Sequence, residues 1–427
     1  MTGTVSTPDL SDAPEQPRVL RVLAVAQILS GAGLAAGITV GALLARDMLG
    51  STSLAGLPAM LFTVGSAGAA IGIGRLSQRL GRRVGLAAGY LTGAIGSAGV
   101  VLAAVNDNVP LLFTALVIYG AGTAANLQAR YAGADLAAPH RRGRAVAIVL
   151  VATTVGAVAG PNLAGAMGRV AHTWGIPTLA GPFVLAGAAY AVGAAVLWTL
   201  LRPDPLVLAR AREHDASARS PEPAPTPAAA RTASKGIATG ALVMIVAQMV
   251  MIAVMTMTPV HMQGHGHDVG AVGFVIGVHV AAMYLPSPLS GWLVDRWGAG
   301  TVAVLSAITF VAAGAVGAWS PPASVPLLVL SLALLGLGWS FGLVSGTAMV
   351  TSAAPLSQRA RIQGNVDFLI ALAGATGGVL SGVVVAGTSF ATLALGGGVV
   401  ALLLVPVLAV TRADHPRQHR PGTISAS

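Results

Sequence analysis

Runs of apolar residues recur from one end of this chain to the other, each about as long as the 20-residue helix needed to cross a bilayer core of about 30 Å. Twelve can be counted, approximately Val19–Leu44, Leu54–Ile73, Val84–Val105, Pro110–Leu127, Ala145–Met167, Thr178–Leu201, Ile237–Val260, Val269–Val294, Gly300–Trp319, Val325–Val350, Gln363–Ala386 and Phe390–Val410. Only 9% of the 427 residues are charged, against about 25% in ordinary soluble domains. The expected fold class is all-α integral membrane, with twelve transmembrane helices. The first run is too long for the apolar part of a cleaved signal peptide and reads as the first span.

The net charge of +10 does not point to nucleic acid, because the arginines sit in short loops between the apolar runs rather than on one face. With the N-terminus placed inside, all of the 24 Lys and Arg except Arg46 and Arg169 fall on the cytoplasmic side. This positive-inside bias makes both termini cytoplasmic and requires an even number of spans. Trp198, Trp292 and Trp297 then lie near the inner interface and Trp319 near the outer one, as an aromatic belt requires. Cysteine is absent, which excludes disulfides and thiolate metal sites. The expected location is a bacterial-type inner membrane. The expected partners are the lipid bilayer, a small-molecule or metal-ion substrate and a coupling ion; no cofactor is expected.

Residues 1–17 are polar and read as a disordered cytoplasmic tail, and residues 412–427 at the other end read as a cytoplasmic tail. Between the sixth and seventh runs the composition shifts to Pro, Ala, Arg and Ser, including Ser220-Pro-Glu-Pro-Ala-Pro-Thr-Pro227, which cannot build a core. Residues 202–236 are therefore expected to be a flexible cytoplasmic linker between a bundle at 18–201 and a bundle at 237–411. The two halves share a loop sequence: Gly74-Arg-Leu-Ser-Gln-Arg-Leu-Gly81 after the second run and Gly291-Trp-Leu-Val-Asp-Arg-Trp-Gly298 after the eighth. A motif repeated at the same place in each half is the internal symmetry of a transporter built from parallel repeats.

On these residues the chain resembles the major facilitator superfamily over its whole length. The family's hallmark loop, G-x-L-x-D-R-x-G-R-R, is matched by residues 74–83 except that neutral Gln78 stands in place of the aspartate. The resemblance implies that the loops brace the inward-closed, outward-open arrangement through Gly74, Arg79, Gly81, Arg82 and Arg83 in the first half. Gly291, Asp295, Arg296 and Gly298 would do the same in the second. Span five carries Gly156-Ala-Val-Ala-Gly160-Pro161-Asn-Leu-Ala-Gly165, similar to a motif of the family's drug and proton antiporters, with Ala164 as the departure. The glycines permit close helix approach and the proline removes a backbone donor; close packing alone would account for both. Span four lacks the arginine of the family's antiporters, since Leu116 and Tyr119 precede Gly120.

Ionisable groups deep in a bilayer are costly and usually functional. Asp367 lies close to the start of span eleven, where a carboxylate suits the helix dipole. His279 is roughly ten residues into span eight, about 15 Å from its outer end at 1.5 Å per residue. Met283 follows one turn later, and span seven offers Met251 and Met255 at the same spacing. A short outer loop between these spans adds His261, Met262, His265 and His267 as possible capture groups. Thioether and imidazole suit a soft ion such as Cu(I), although Met is also an ordinary apolar filler. The M-x-x-x-M and H-x-x-x-M pair resembles the copper-importing branch of the superfamily, which implies copper ligation by Met251, Met255, His279 and Met283. Gln27, Asn126, Asn162 and Gln248 are candidates to line a central cavity or to join helices.

These readings converge on a secondary active transporter working by alternating access, and not on an enzyme. Soft-metal (copper) uptake is the first expectation for the substrate, with proton-coupled export of a hydrophobic small molecule or drug as the alternative and a non-transporting membrane sensor as the remote one. The sequence carries no nucleotide-binding loop, no carboxylate pair within a span and no metalloprotease motif.

Overall fold

The computed structural model describes residues 13–49, 57–219, 226–321, 324–406 and 408. Among them are fourteen α-helices, two short 3-10 turns and no strand. The first half comprises α1 (Gln16–Leu49), α2 (Leu57–Leu80), α3 (Arg82–Val105), α4 (Val109–Ala134), α5 (Arg142–Thr173) and α6 (Gly181–Leu200). A connecting helix follows, α7 (Pro205–Arg219). The second half comprises α8 (Pro227–Gly264), α9 (Val269–Tyr284), α10 (Ser287–Trp297), α11 (Ala299–Trp319), α12 (Val325–Ala353), α13 (Arg359–Gly387) and α14 (Phe390–Leu402). Counting α9 and α10 as one interrupted span and leaving out α7, this is the twelve-helix membrane fold expected. Ten helical segments among the described residues are long and apolar enough to cross a bilayer. Large apolar side chains face outward along them, among them Val379, Phe274 and Val383, each more than 60% exposed.

Helix starts are fixed by side chains that accept from otherwise unpaired N–H groups. Asn108 accepts from Leu111 N (3.0 Å), Thr226 from Ala229 N (3.2 Å), Asp268 from Ala271 N (2.7 Å) and Ser389 from Thr392 N (3.1 Å). Pro110 and Pro227 sit in first turns, where no intrahelical donor is needed. The turns α2–α3 and α10–α11 are each made by one glycine with positive φ, Gly81 at 95° and Gly298 at 83°. A side chain is strained in that region, which explains why both repeated loops end on glycine.

The halves pack alike. In the first, α1 lies on α5 and α6, and α3 on α4 and α6; in the second, α8 lies on α13 and α14, and α11 on α12 and α14. Each half has its own apolar core. Between the halves, α2 packs on α13 and α5 on α10, two contacts related by the same pseudo-symmetry.

The structure departs from the sequence reading in three places. Residues 202–236 are not a featureless linker: α7 occupies 205–219, with Leu206 and Ala209 buried and its first turn capped by Asp204, and α8 begins at Pro227. Span eight is not one helix, because Pro286 and Pro288, on either side of Ser287, both lack the N–H a continuous ladder would use, and α9 is separated from α10 at Leu285–Pro286. The tail reading of residues 1–17 fails at its end, where Gln16 opens α1 and its buried amide donates to Gly133 O at 2.7 Å. Residues 1–12 and 409–427 lie outside the described residues.

Candidate gating and substrate site

The repeated loops meet the opposite half at the Arg-rich end of the bundle. Gln78 Oε1 accepts from Ala360 N (2.8 Å) and Arg361 N (3.3 Å) at the start of α13, while its Nε2 donates to Leu356 O (3.2 Å) and Ser357 O (2.8 Å). The amide thus fills the role of an aspartate toward the helix start and adds two donations that a carboxylate cannot make. Asp295 mirrors it, accepting from Gly143 N (2.8 Å) and Arg144 N (3.0 Å) at the start of α5. Of the other loop residues, Arg82 is fully buried, Arg83 lies over the Trp198 ring and donates its N–H to Asp204, and Arg79 and Arg296 are exposed.

Glycines bring the backbones together at this end. A Cβ on Gly74 would lie 2.8 Å from both Ala360 O and Gly364 Cα, and one on Gly291 would lie 2.5 Å from Gly143 O. Toward the other end a Cβ on Gly68 of α2, Gly273 or Gly277 of α9, or Gly382 of α13 would meet nothing within 4 Å. Among the described glycines, close contact between the halves is confined to the Arg-rich end.

Two buried ionic clusters lie just inside this seam. In the outer one, Arg82 Nε is 2.7 Å from Asp135 Oδ2, its Nη2 donates to Gln363, and Arg359 Nη1 is 3.8 Å from Asp135 Oδ1. In the inner one, Arg130 of α4 enters the second half: its Nη2 is 2.6 Å from Asp367 Oδ1, its Nε donates to Thr347 Oγ1 (3.0 Å), and Met244 Sδ lies 3.9 Å from Nη2. Tyr131 OH donates to the same carboxylate oxygen at 3.3 Å, whereas Asp367 Oδ2 is buried with no hydrogen-bond partner among the described residues. Arg130 therefore corrects the charge-based reading, which set it among the cytoplasmic loop arginines. Asp367, expected to serve the helix dipole, is the partner of a charge from the other half.

The Met/His candidates divide between the core of the second half and the α8–α9 turn. His279 is fully buried and its Nδ1 lies 2.8 Å from Leu332 O of α12. Met251 shares the α8 face of Met244 and Ala247, which packs on Gly346 and Gly342 of α12. His279 is thus tied to α12, while Met251 and Met283 are buried and Met255 half-buried in one apolar core of the second half. Among the loop candidates, His261 stacks on Phe390 (4.4 Å) and lies 4.5 Å from the His265 ring, Met262 is buried and His267 is half-buried. No group of three or more His, Asp or Glu is placed to hold a metal among the described residues.

Of the cavity candidates, Gln27 and Asn126 are buried inside the first half. Gln27 accepts from Tyr90 OH (2.6 Å) and donates to Thr153 Oγ1 (3.0 Å), and Asn126 donates to Ser30 (2.7 Å), tying α1, α3, α4 and α5 together. Asn162 is exposed and donates to Val158 O in its own helix. Gln248 accepts from Trp339 Nε1 at 2.8 Å, and the Trp339 ring meets Tyr284 edge-on at 5.5 Å. In the span-five motif, Gly156 packs against the Ile28 backbone of α1 and Gly160 is buried. Gly165 has only the Arg169 guanidinium within 4 Å of a built Cβ, and α5 runs unbroken through Pro161.

The family model of the Major Facilitator Superfamily matches this chain over residues 23–282 and 240–426. The chain belongs to the Major Facilitator Superfamily. It is therefore a multi-pass membrane transporter and not an enzyme. It is similar to the MFS-type transporter YdeG of Bacillus subtilis (strain 168), 53% identical over 92% of both chains. It is also similar to the riboflavin transporter RfnT of Brucella anthropi (strain ATCC 49188), 29% identical over 93% of this chain and 97% of the relative. Among solved structures, the human organic anion transporter MFSD10 (TETRAN) shares the fold, with a TM-score of 0.74 and 16% identity over 93% of this chain and all of that one. As a superfamily member the chain departs from the hallmark loop at Gln78 and from the antiporter pattern in span four. The structure supplies a different buried arginine in that same helix. The signal for it was the apolar stretch Tyr131-Ala-Gly-Ala134 that follows Arg130 and carries the helix one more turn.

Proposed function

We propose that this chain is a proton-linked secondary transporter of a small organic molecule, working by alternating access in a bacterial inner membrane with its Arg-rich end in the cytoplasm. The arrangement described is then the outward-facing one. The observation that carries the proton role is the Arg130–Asp367 pair, which joins the two halves and leaves one carboxylate oxygen buried and without a hydrogen-bond partner among the described residues. A proton on that oxygen neutralises Asp367 and removes the attraction that holds α13 to α4. Arg130 keeps its charge when Asp367 is neutral and retains Thr347 Oγ1 and the Leu127 carbonyl as acceptors in its own surroundings. Protonation is thus coupled to separation of the halves at this end, in keeping with the rule that intramembrane ionisable groups mark ion or proton pathways. An organic substrate is supported by the relative named a riboflavin transporter.

Riboflavin is the first probe. Proteoliposomes holding the parent protein should accumulate it when a pH gradient is imposed. Asp367→Asn, recovered as a folded monodisperse protein, should keep riboflavin exchange while losing at least about 10-fold of the gradient-driven accumulation, equivalent to about 1.4 kcal/mol of coupling. Accumulation by Asp367→Asn at the parental level would overturn the proton role. Absence of exchange by the parent would remove riboflavin as substrate.

A second reading, soft-metal uptake, is favoured by one observation: His279 Nε2 is buried without a partner among the described residues, and Met283 follows one turn later. Cellular copper in a deletion strain complemented with Met251→Leu or Met283→Leu separates the readings. The swap is nearly volume-neutral and costs under about 1.5 kcal/mol, so a copper carrier should lose uptake with its fold intact. Parental copper content with both variants would leave the organic substrate as the only reading.

A further inference from the structure

At the Arg-rich end a pocket of about 510 Å³ opens between the two halves and α7, with Asp135, Arg142 and Arg359 on its wall and Arg212 and Glu213 contributed by α7. The charges on its inner wall do not balance. Asp135 is the carboxylate there, and it already serves Arg82 at 2.7 Å, which is fully buried, and Arg359 at 3.8 Å, whose side chain is 8% exposed. Arg142 adds a third guanidinium. It donates Nη1 to Ser352 Oγ at 2.9 Å, and its Nε is buried with no partner among the described residues; Arg82 Nη1 is also buried without one. On α7, Arg212 is occupied by Glu15 at 2.7 Å, and Glu213 is exposed. Three largely buried guanidinium groups therefore surround one carboxylate, and buried charges left unpaired are strongly disfavoured.

We propose that this pocket is a binding site for a phosphate-class anion held between Arg142 of the first half and Arg359 of the second. Guanidinium forks match phosphate oxygens in two-point geometry, and the start of α5 at Arg142 offers a favourable dipole. Because the two arginines belong to opposite halves, an anion seated here fastens the Arg-rich end shut and slows the turn to the other arrangement. The phosphate can belong to a soluble molecule or to a phospholipid headgroup, and the chemistry of recognition is the same.

Thermal stability of the purified full-length protein tests the site. In detergent, inorganic phosphate should raise the melting temperature by roughly 3 °C over chloride at matched ionic strength, the scale expected when a ligand well above its Kd binds only the folded state. Arg142→Gln should abolish the rise. If phosphate has no effect but nanodiscs of phosphatidylglycerol give the rise over phosphatidylcholine, again only with Arg142 present, the occupant is a lipid headgroup. Arg142→Lys keeps the charge and loses the fork, guarding against failure of the glutamine variant to fold; its response should be clearly smaller than the parent's. The proposal is overturned if neither phosphate nor phosphatidylglycerol stabilises the parent. It is equally overturned if the Arg142 variants respond as the parent does.

Discussion

Arg130→Ala should be the most destabilising single substitution in the membrane-embedded part of this protein, at about 3–5 kcal/mol. It strands the Asp367 carboxylate, which is buried with Arg130 Nη2 at 2.6 Å and has Tyr131 as its remaining donor. It also removes the donor to Thr347 Oγ1. The expected results are a sharp fall in melting temperature and in folded yield, together with loss of transport. Replacing both charges by apolar groups, as in Arg130→Met with Asp367→Leu, should behave differently. Buried ion pairs exchanged for apolar residues of similar volume are often neutral in stability, so the double variant should recover most of the melting temperature. It should still fail to accumulate substrate under a pH gradient, because the proton site is gone. A single variant as stable as the parent would show that the pair does not hold the halves together. A double variant that transports normally would show that the pair carries no coupling.

Gly291→Val should shift the protein out of the arrangement described and reduce transport at least about 10-fold, which requires only about 1.4 kcal/mol of differential stability. The new Cβ would sit 2.5 Å from Gly143 O, a backbone atom that cannot swing aside, and 2.7 Å from Ala147 Cβ. Overpacking of this kind costs about 1–3 kcal/mol, and here the cost falls only on the state in which α5 and α10 touch. The chain has no cysteine, so spin labels can be placed directly, for example at exposed Arg75 of α2 and Arg361 of α13. The parent should give one short distance and Gly291→Val a second, longer population. Gly382→Val, in open space at the other end, is the control. Identical distance distributions in the parent and Gly291→Val would dismiss the seam as a gate.

The spans, the two halves and the paired loops were legible because each depends on a one-dimensional property: run length, loop charge or a repeated motif. Gln78 was visible as a departure, but its fitness was not. Its partners at Leu356, Ser357, Ala360 and Arg361 are far away in sequence, and only the structure shows that an amide can both cap α13 and donate to the preceding carbonyls. Arg130 was misplaced because a basic residue near the end of an apolar run reads as interfacial, and nothing local points to a partner 237 positions away. For His279 the depth could be counted from helical rise. Its direction could not, since α9 is apolar all round and carries no polar face to orient it. The buried contacts of α7 were hidden by an Arg-rich composition that resembles a linker.

The interruption at Leu285–Pro286 makes the two halves mechanically unequal. In the first half the element that reaches the seam is α2, one unbroken helix of 24 residues, and displacing either end displaces the other like a rigid lever. Its counterpart is jointed, with the 11-residue α10 pressed on α5 and the 16-residue α9 beyond the proline elbow. Force applied at the far end of that counterpart can bend the elbow before it reaches Gly291. The matching loops are therefore carried by unlike arms, an unbroken helix in the first half and a jointed one in the second.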